Sequence, residues 1–89
     1  MISRINADFR KDFAGLPREI QQRARDTYKL FQANPNHPSL HFKKLPPYEN
    51  IWSVRISASF RAIGRMHGEV IVWFFIGSHA DYDKLLARM

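Results

Sequence analysis

Residues 70–76 read VIVWFFI, seven apolar positions with no polar interruption. A strand with one wet face alternates apolar and polar residues, whereas a strand buried on both faces does not. This run is too short to cross a bilayer as a helix, which takes about 20 apolar residues. It is therefore expected to be the central strand of a sheet. Its neighbours in the chain have a different period. In IWSVRIS, Trp52, Val54 and Ile56 alternate with Ser53, Arg55 and Ser57. In FRAIGRM, Arg61 and Arg65 are spaced against Phe60, Ala62 and Met66. Three strands in succession, with His67-Gly68 as a two-residue hairpin turn, predict an antiparallel meander.

The first half of the chain has helical spacing. Asn6 or Asp8 is placed to cap a helix carrying Phe9, Phe13 and Leu16, and Gly15 suits its end. Pro17 suits the first turn of a second helix with the stripe Ile20, Ala24, Tyr28 and Phe31, and Asn34-Pro35 closes it. Residues 7–33 thus predict a helical hairpin. ISRIN, before it, reads as a short strand. NPNHPSLHFKKLPPYEN, after it, reads as an irregular connection. The tail from His79 to Arg88 predicts a short helix. The fold class is α+β: an N-terminal strand, a two-helix hairpin, an antiparallel three-strand meander and a short C-terminal helix, with the helices on one face of the sheet. At 89 residues this is a single domain, 1–89.

Composition narrows the function. The net charge is +6, so the surface attracts polyanions or an acidic protein. There is no cysteine, which excludes disulfides and thiolate metal sites. MISRINADFRKDF lacks the apolar core of a secretory signal, and a cytoplasmic protein without membrane contact is expected. His37 and His41 are four apart, but His37-Pro38 cannot sit in a continuous helix, so neither metal nor other cofactor is expected.

The arginines of the meander carry a sharper expectation. If Ser57-Ala58-Ser59 forms a three-residue loop, Arg55 lies directly opposite Arg61. Trp52, Val54 and Ile56 then share the other face. A two-residue loop would mix the faces, so burial favours the register that pairs the arginines. Carried on, it sets Phe74 across from Arg61. Two like charges directly opposite cost stability, which suggests an anion between them. The alternative is that both splay into water or meet Glu49 or Asp81.

The order of elements, the segment WSVRISASFR (52–61), the apolar strand and the GSH that ends it resemble the RelE/ParE superfamily, the toxins of type II toxin–antitoxin systems. The likeness runs over essentially the whole chain. It implies a compact toxin silenced by a cognate antitoxin whose disordered segment wraps it. RelE-like members cleave mRNA on the ribosome, and ParE-like members inhibit DNA gyrase without catalysis. On this resemblance Arg61 corresponds to the arginine that holds the scissile phosphate, and Arg55 to a basic residue of the preceding strand. His79 corresponds to the histidine of YafQ-like members within GSH, and His41 falls near another of their histidines. The chain departs from both patterns: Arg55 stands where YafQ-like members have histidine, Ser59 where they have aspartate. Tyr82 lies near, but not at, the RelE-like tyrosine position around Leu85.

The expected activity is ribosome-dependent endoribonuclease cleavage of mRNA, which inhibits translation. The catalytic set is Arg55, Arg61 and His79, with His41 and Tyr82 as further candidates. Arginines stabilise charge on the phosphate through planar, bidentate contacts. Histidine transfers protons near neutrality. Lys43, Lys44, Arg65 and Phe74 are candidates for RNA binding, the last by base stacking. The alternatives are a ParE-like gyrase inhibitor and a catalytically inactive member that only binds its antitoxin. Ser78 or His79 serving merely to open the last helix is the plain structural alternative for that histidine.

Overall fold

The computed structural model describes residues 1–89. A five-stranded sheet is formed by β1 (Ile2–Ile5), β2 (Lys43–Lys44), β3 (Ile51–Arg55), β4 (Phe60–His67) and β5 (Val70–Ser78), in the order β1-β5-β4-β3-β2. β1 runs parallel to β5, and every other pairing is antiparallel. The helices are α1 (Ala7–Ala14), α2 (Arg18–Ala33) and α3 (His79–Arg88), with one 3-10 turn at Pro38–Leu40. No helix is long and apolar enough to cross a membrane.

Local chemistry accounts for the hairpin. The Asn6 side chain accepts a hydrogen bond from the Phe9 N–H at 2.9 Å and caps α1. Gly15 closes that helix, and α2 follows Pro17, whose carbonyl accepts from Ile20 and Gln21. The apolar stripes of both helices cover one face of the sheet. The core there joins Ala24 and Phe31 of α2 to Val54, Ile56, Ala62, Ile71, Trp73 and Ile76, with Leu40 from the 3-10 turn. Phe9, Phe13, Ile20 and Tyr28 pack at its margin. Each such side chain contributes about 1.5–3 kcal/mol when fully buried. Phe31 meets Phe42 and Trp73 edge-on, with ring centroids at 5.0 and 5.3 Å. The third helix departs from expectation. Its first turn lies over Gly77 and reaches Arg61, so α3 meets the arginine face rather than joining the hairpin layer.

Three further details of the sheet differ from the sequence reading. Lys43 and Lys44, assigned to an irregular connection, form an edge strand against Ser53 and Trp52. Two charged residues carry no periodicity, so only the neighbouring strand reveals them. The β4–β5 turn is Gly68-Glu69, and His67 is the last strand residue, paired with Val70. Gly68 takes φ +61° at the first loop position, where a side chain would be strained. The register also shifts between Ile63 and Gly64, leaving Phe74 without a partner as a β-bulge. The later turn and the bulge together set Arg61 against Gly77, not Phe74.

Gly64 sits at that bulge for a steric reason. A Cβ there would lie 2.8 Å from Ile71 Cγ1 and 2.9 Å from Trp73 Cε3, both buried. Gly64→Ala is expected to cost about 1–3 kcal/mol, since overpacking a filled core displaces its neighbours. A urea midpoint lowered with an unchanged slope is the checking result.

Candidate active site

The β3–β4 loop is Ser57-Ala58-Ser59, and Arg55 pairs directly with Arg61 across it. The Ile56 N–H donates to the Phe60 carbonyl at 3.0 Å, so by two-residue alternation Arg55 and Arg61 occupy a non-hydrogen-bonded position. Directly opposed residues at such positions approach most closely, with Cα atoms about 4.5 Å apart. Both arginines are half-buried. Trp52, Val54 and Ile56 lie on the opposite face, as the burial argument required.

The start of α3 completes the cluster. Ser78 caps the helix by accepting from the Asp81 N–H at 3.2 Å. The His79 N–H donates to the Ser59 carbonyl at 2.8 Å, which ties the helix start to the β3–β4 loop. One helical turn then sets Tyr82 against His79, ring centroids 5.6 Å apart and nearly parallel. The Arg61 guanidinium lies over the Tyr82 ring, 5.8 Å from its centroid. Arg61, Tyr82 and His79 are thus brought together, with Arg55 on the far side of Arg61. His79 is exposed and Tyr82 half-buried. Ser78 and not His79 is the cap, so the imidazole has no capping duty.

The remaining candidates divide. Arg65 stacks over Phe74, 5.1 Å from its centroid, four residues along the arginine side of β4, with Ile63 between. The register sets Lys43 level with Ser53 on the arginine face, while Lys44 pairs with Trp52 on the other. His41 lines an opening that includes neither His79 nor Tyr82. It closes the 3-10 turn at φ +47°, a left-handed conformation uncommon outside glycine, and lines a separate groove beside Arg55. His37 is engaged locally: its Nδ1 accepts from the Ser39 N–H at 3.2 Å.

Sequence reasoning gave no role to Asp12 of α1. Burial pushes its carboxyl above the ordinary value of 3.8, and the nearby charges of Asp8 and Asp81 push the same way, against a backbone hydrogen bond at Ile76 and the charge of Lys11. A carboxyl that binds its proton more tightly when folded weakens the fold as pH rises through the raised value, and costs nothing below the unfolded one. Asp12→Asn is therefore expected to raise the melting temperature at neutral pH. The gain should vanish as pH is lowered towards 3.8, which paired thermal melts would show. Arg23 and Asp26 also border the groove beside Arg55.

The ParE-like toxin domain model matches residues 18–84 of the chain. Among solved structures, one chain of the RelB-RelE antitoxin–toxin complex from Methanococcus jannaschii superposes with a TM-score of 0.76 at 18% identity, over 92% of this chain and 96% of that one. YafQ from an E. coli strain gives 0.72 at 12% identity, over 90% and 94%. The YoeB/ParE toxin from Agrobacterium tumefaciens gives 0.69 at 16% identity, over 89% and 99%. Likeness at these identities concerns the fold. Comparison with curated proteins found no match.

Proposed function

The chain belongs to the ParE-like toxin domain family, as a toxin of the RelE/ParE superfamily of toxin–antitoxin systems, and from that premise we propose that it is an endoribonuclease cutting mRNA on the ribosome. The observation that carries this reading is the grouping of Arg61, Tyr82 and His79 beside the Arg55–Arg61 pair. In the reaction, the RNA 2′-oxygen attacks the adjacent phosphorus and gives up its proton to a base. The bond to the 5′-oxygen breaks, and that oxygen is protonated by an acid. The products are a 2′,3′-cyclic phosphate and a 5′-hydroxyl.

Two guanidiniums converging on the phosphate stabilise the charge that builds on the phosphorane. His79 and Tyr82 are the proton-carrying groups within reach of the same anion. Lys43, Arg65 and Phe74 extend the surface that would hold the strand. Mutual repulsion of the arginines is relieved when RNA arrives, so part of the binding energy goes into the site that performs the chemistry. A cognate antitoxin with an acidic, flexible segment suits this basic face as its partner, and the ribosome and its mRNA suit it as the target. The action would then be cytoplasmic.

Induced expression with primer extension on translated mRNA tests the reading. Cleavage ends should appear with the wild-type chain, and His79→Ala should lower cleavage by about 10²-fold or more, the usual contribution of a proton-transfer group. The family match itself favours a second reading, a non-catalytic gyrase inhibitor. Intact mRNA with failed DNA supercoiling would decide for that one.

A further inference from the structure

A groove of about 620 Å³ lies beside Arg55, between α2 and the 3-10 turn. Its position follows from the short edge strand. The β2 pairing reaches Ser53 and stops, so β3 beyond it has no strand partner on that side. The Ile51 carbonyl accepts from the Leu45 N–H, towards β2. By the two-residue alternation of a strand, the Arg55 N–H and C=O point the same way, into the groove. On the helix side Arg23, Asp26, Thr27 and Leu30 follow at spacings of three and four, and so share one face of α2.

We propose that this groove is a nucleotide subsite, holding the nucleotide next to the cleaved linkage with its phosphate between Arg23 and Arg55. The proposal rests on the nuclease reading and deepens it. Arg55 belongs to both places: its side chain is the neighbour of Arg61, and it lines the groove. On this proposal a strand with one phosphate at Arg61 turns round the β3 edge at Arg55, which β2 leaves uncovered, to enter the opening. The volume lies within the range of about 300–1,000 Å³ common for small-ligand sites. The lining matches the parts of a nucleotide. Two arginines suit its phosphate. The Asp26 carboxylate, which already accepts from Gln22 Nε2 at 3.1 Å, has lone pairs left for ribose hydroxyls or a base amino group. Leu30 and Ile56 offer apolar wall to the base, and the Arg55 backbone offers a donor and an acceptor to its edge. His41, held at the rim by its left-handed backbone, is a binding group here and not a partner of His79.

The test uses the full chain labelled with nitrogen-15. It is titrated with adenosine 5′-monophosphate and with a short 2′-O-methyl RNA, which cannot be cut. The largest amide shifts should fall on His41, Arg55 and Ser57. Arg23→Glu should weaken binding of the oligonucleotide about tenfold, the scale of one lost charge-assisted contact. Lys29→Glu makes the same charge change on α2 outside the groove and should act less than about threefold, through the general field alone. Both positions are exposed, and the spectrum itself reports whether the fold is kept. Equal effects of the two reversals, or shifts lying elsewhere, overturn the subsite while leaving the nuclease reading intact. Shifts confined to the groove in a chain that cuts no RNA sink the nuclease reading and, with it, the placement of the bound nucleotide next to a cleaved linkage.

Discussion

Arg61→Ala is expected to slow RNA cleavage by about 10²–10³-fold, the usual cost of deleting a preorganised group that stabilises transition-state charge. The effect should exceed that of any other single arginine because of where Arg61 stands. It is opposed by Arg55, lies over Tyr82, and faces Gly77, which has no side chain. Arg55 alone would leave the anion held from one side. Arg61→Lys should recover only part of the rate, since an ammonium keeps the charge but not the planar two-point fork. Circular dichroism should be unchanged, because Arg61 is half-buried and outside the apolar core. The idea fails if Arg61→Ala cleaves at the wild-type rate, or if Arg61→Lys does no better than alanine.

The largest expected change in stability is from Trp73→Ala, a loss of about 3–5 kcal/mol. Trp73 is 2% exposed and meets Phe31 edge-on. Its Nε1 donates to Ser3 Oγ at 2.9 Å, so it also secures β1 to β5. Gly64 is bare because the indole occupies the space a Cβ would need. Truncation therefore opens a cavity, orphans a hydroxyl and loosens the strand edge at once. Against a typical total of about 5–15 kcal/mol, such a loss leaves a small domain near its unfolding midpoint. Trp52 remains as the fluorescent reporter for urea denaturation. A midpoint close to that of the wild type would mean that the hairpin layer collapses onto the vacated space.

The two predictions draw on parts of the molecule that were legible to different degrees. Trp73 was marked as core by the unbroken apolar run. The Arg55–Arg61 pair was legible because a single loop length reconciled burial on both faces of β3. Phe74 was misassigned to Arg61 for two reasons: the turn falls one residue later, which moves the partner by two, and a bulge, which leaves no trace in an already continuous apolar run, moves it by one more. The turn was displaced by one residue for a similar reason, since His67-Gly68 and Gly68-Glu69 both satisfy the glycine requirement. His41 was grouped with His79 on resemblance, and nothing in a sequence spacing of 38 residues says on which side of Arg55 each one lands.

What could be read from residue order was whatever depends on neighbours within a few positions. Helix spacing, caps, strand alternation and the pairing across a tight loop are local, and they predicted the α+β order and the arginine pair. What needed the folded chain was every relation between distant segments. The stacking of Tyr82 under Arg61, the placement of α3 on the arginine face, and the groove where β2 stops short of Arg55 depend on how far a strand extends and where a helix comes to rest. Those are set by packing summed over the whole core, which no short window of sequence contains.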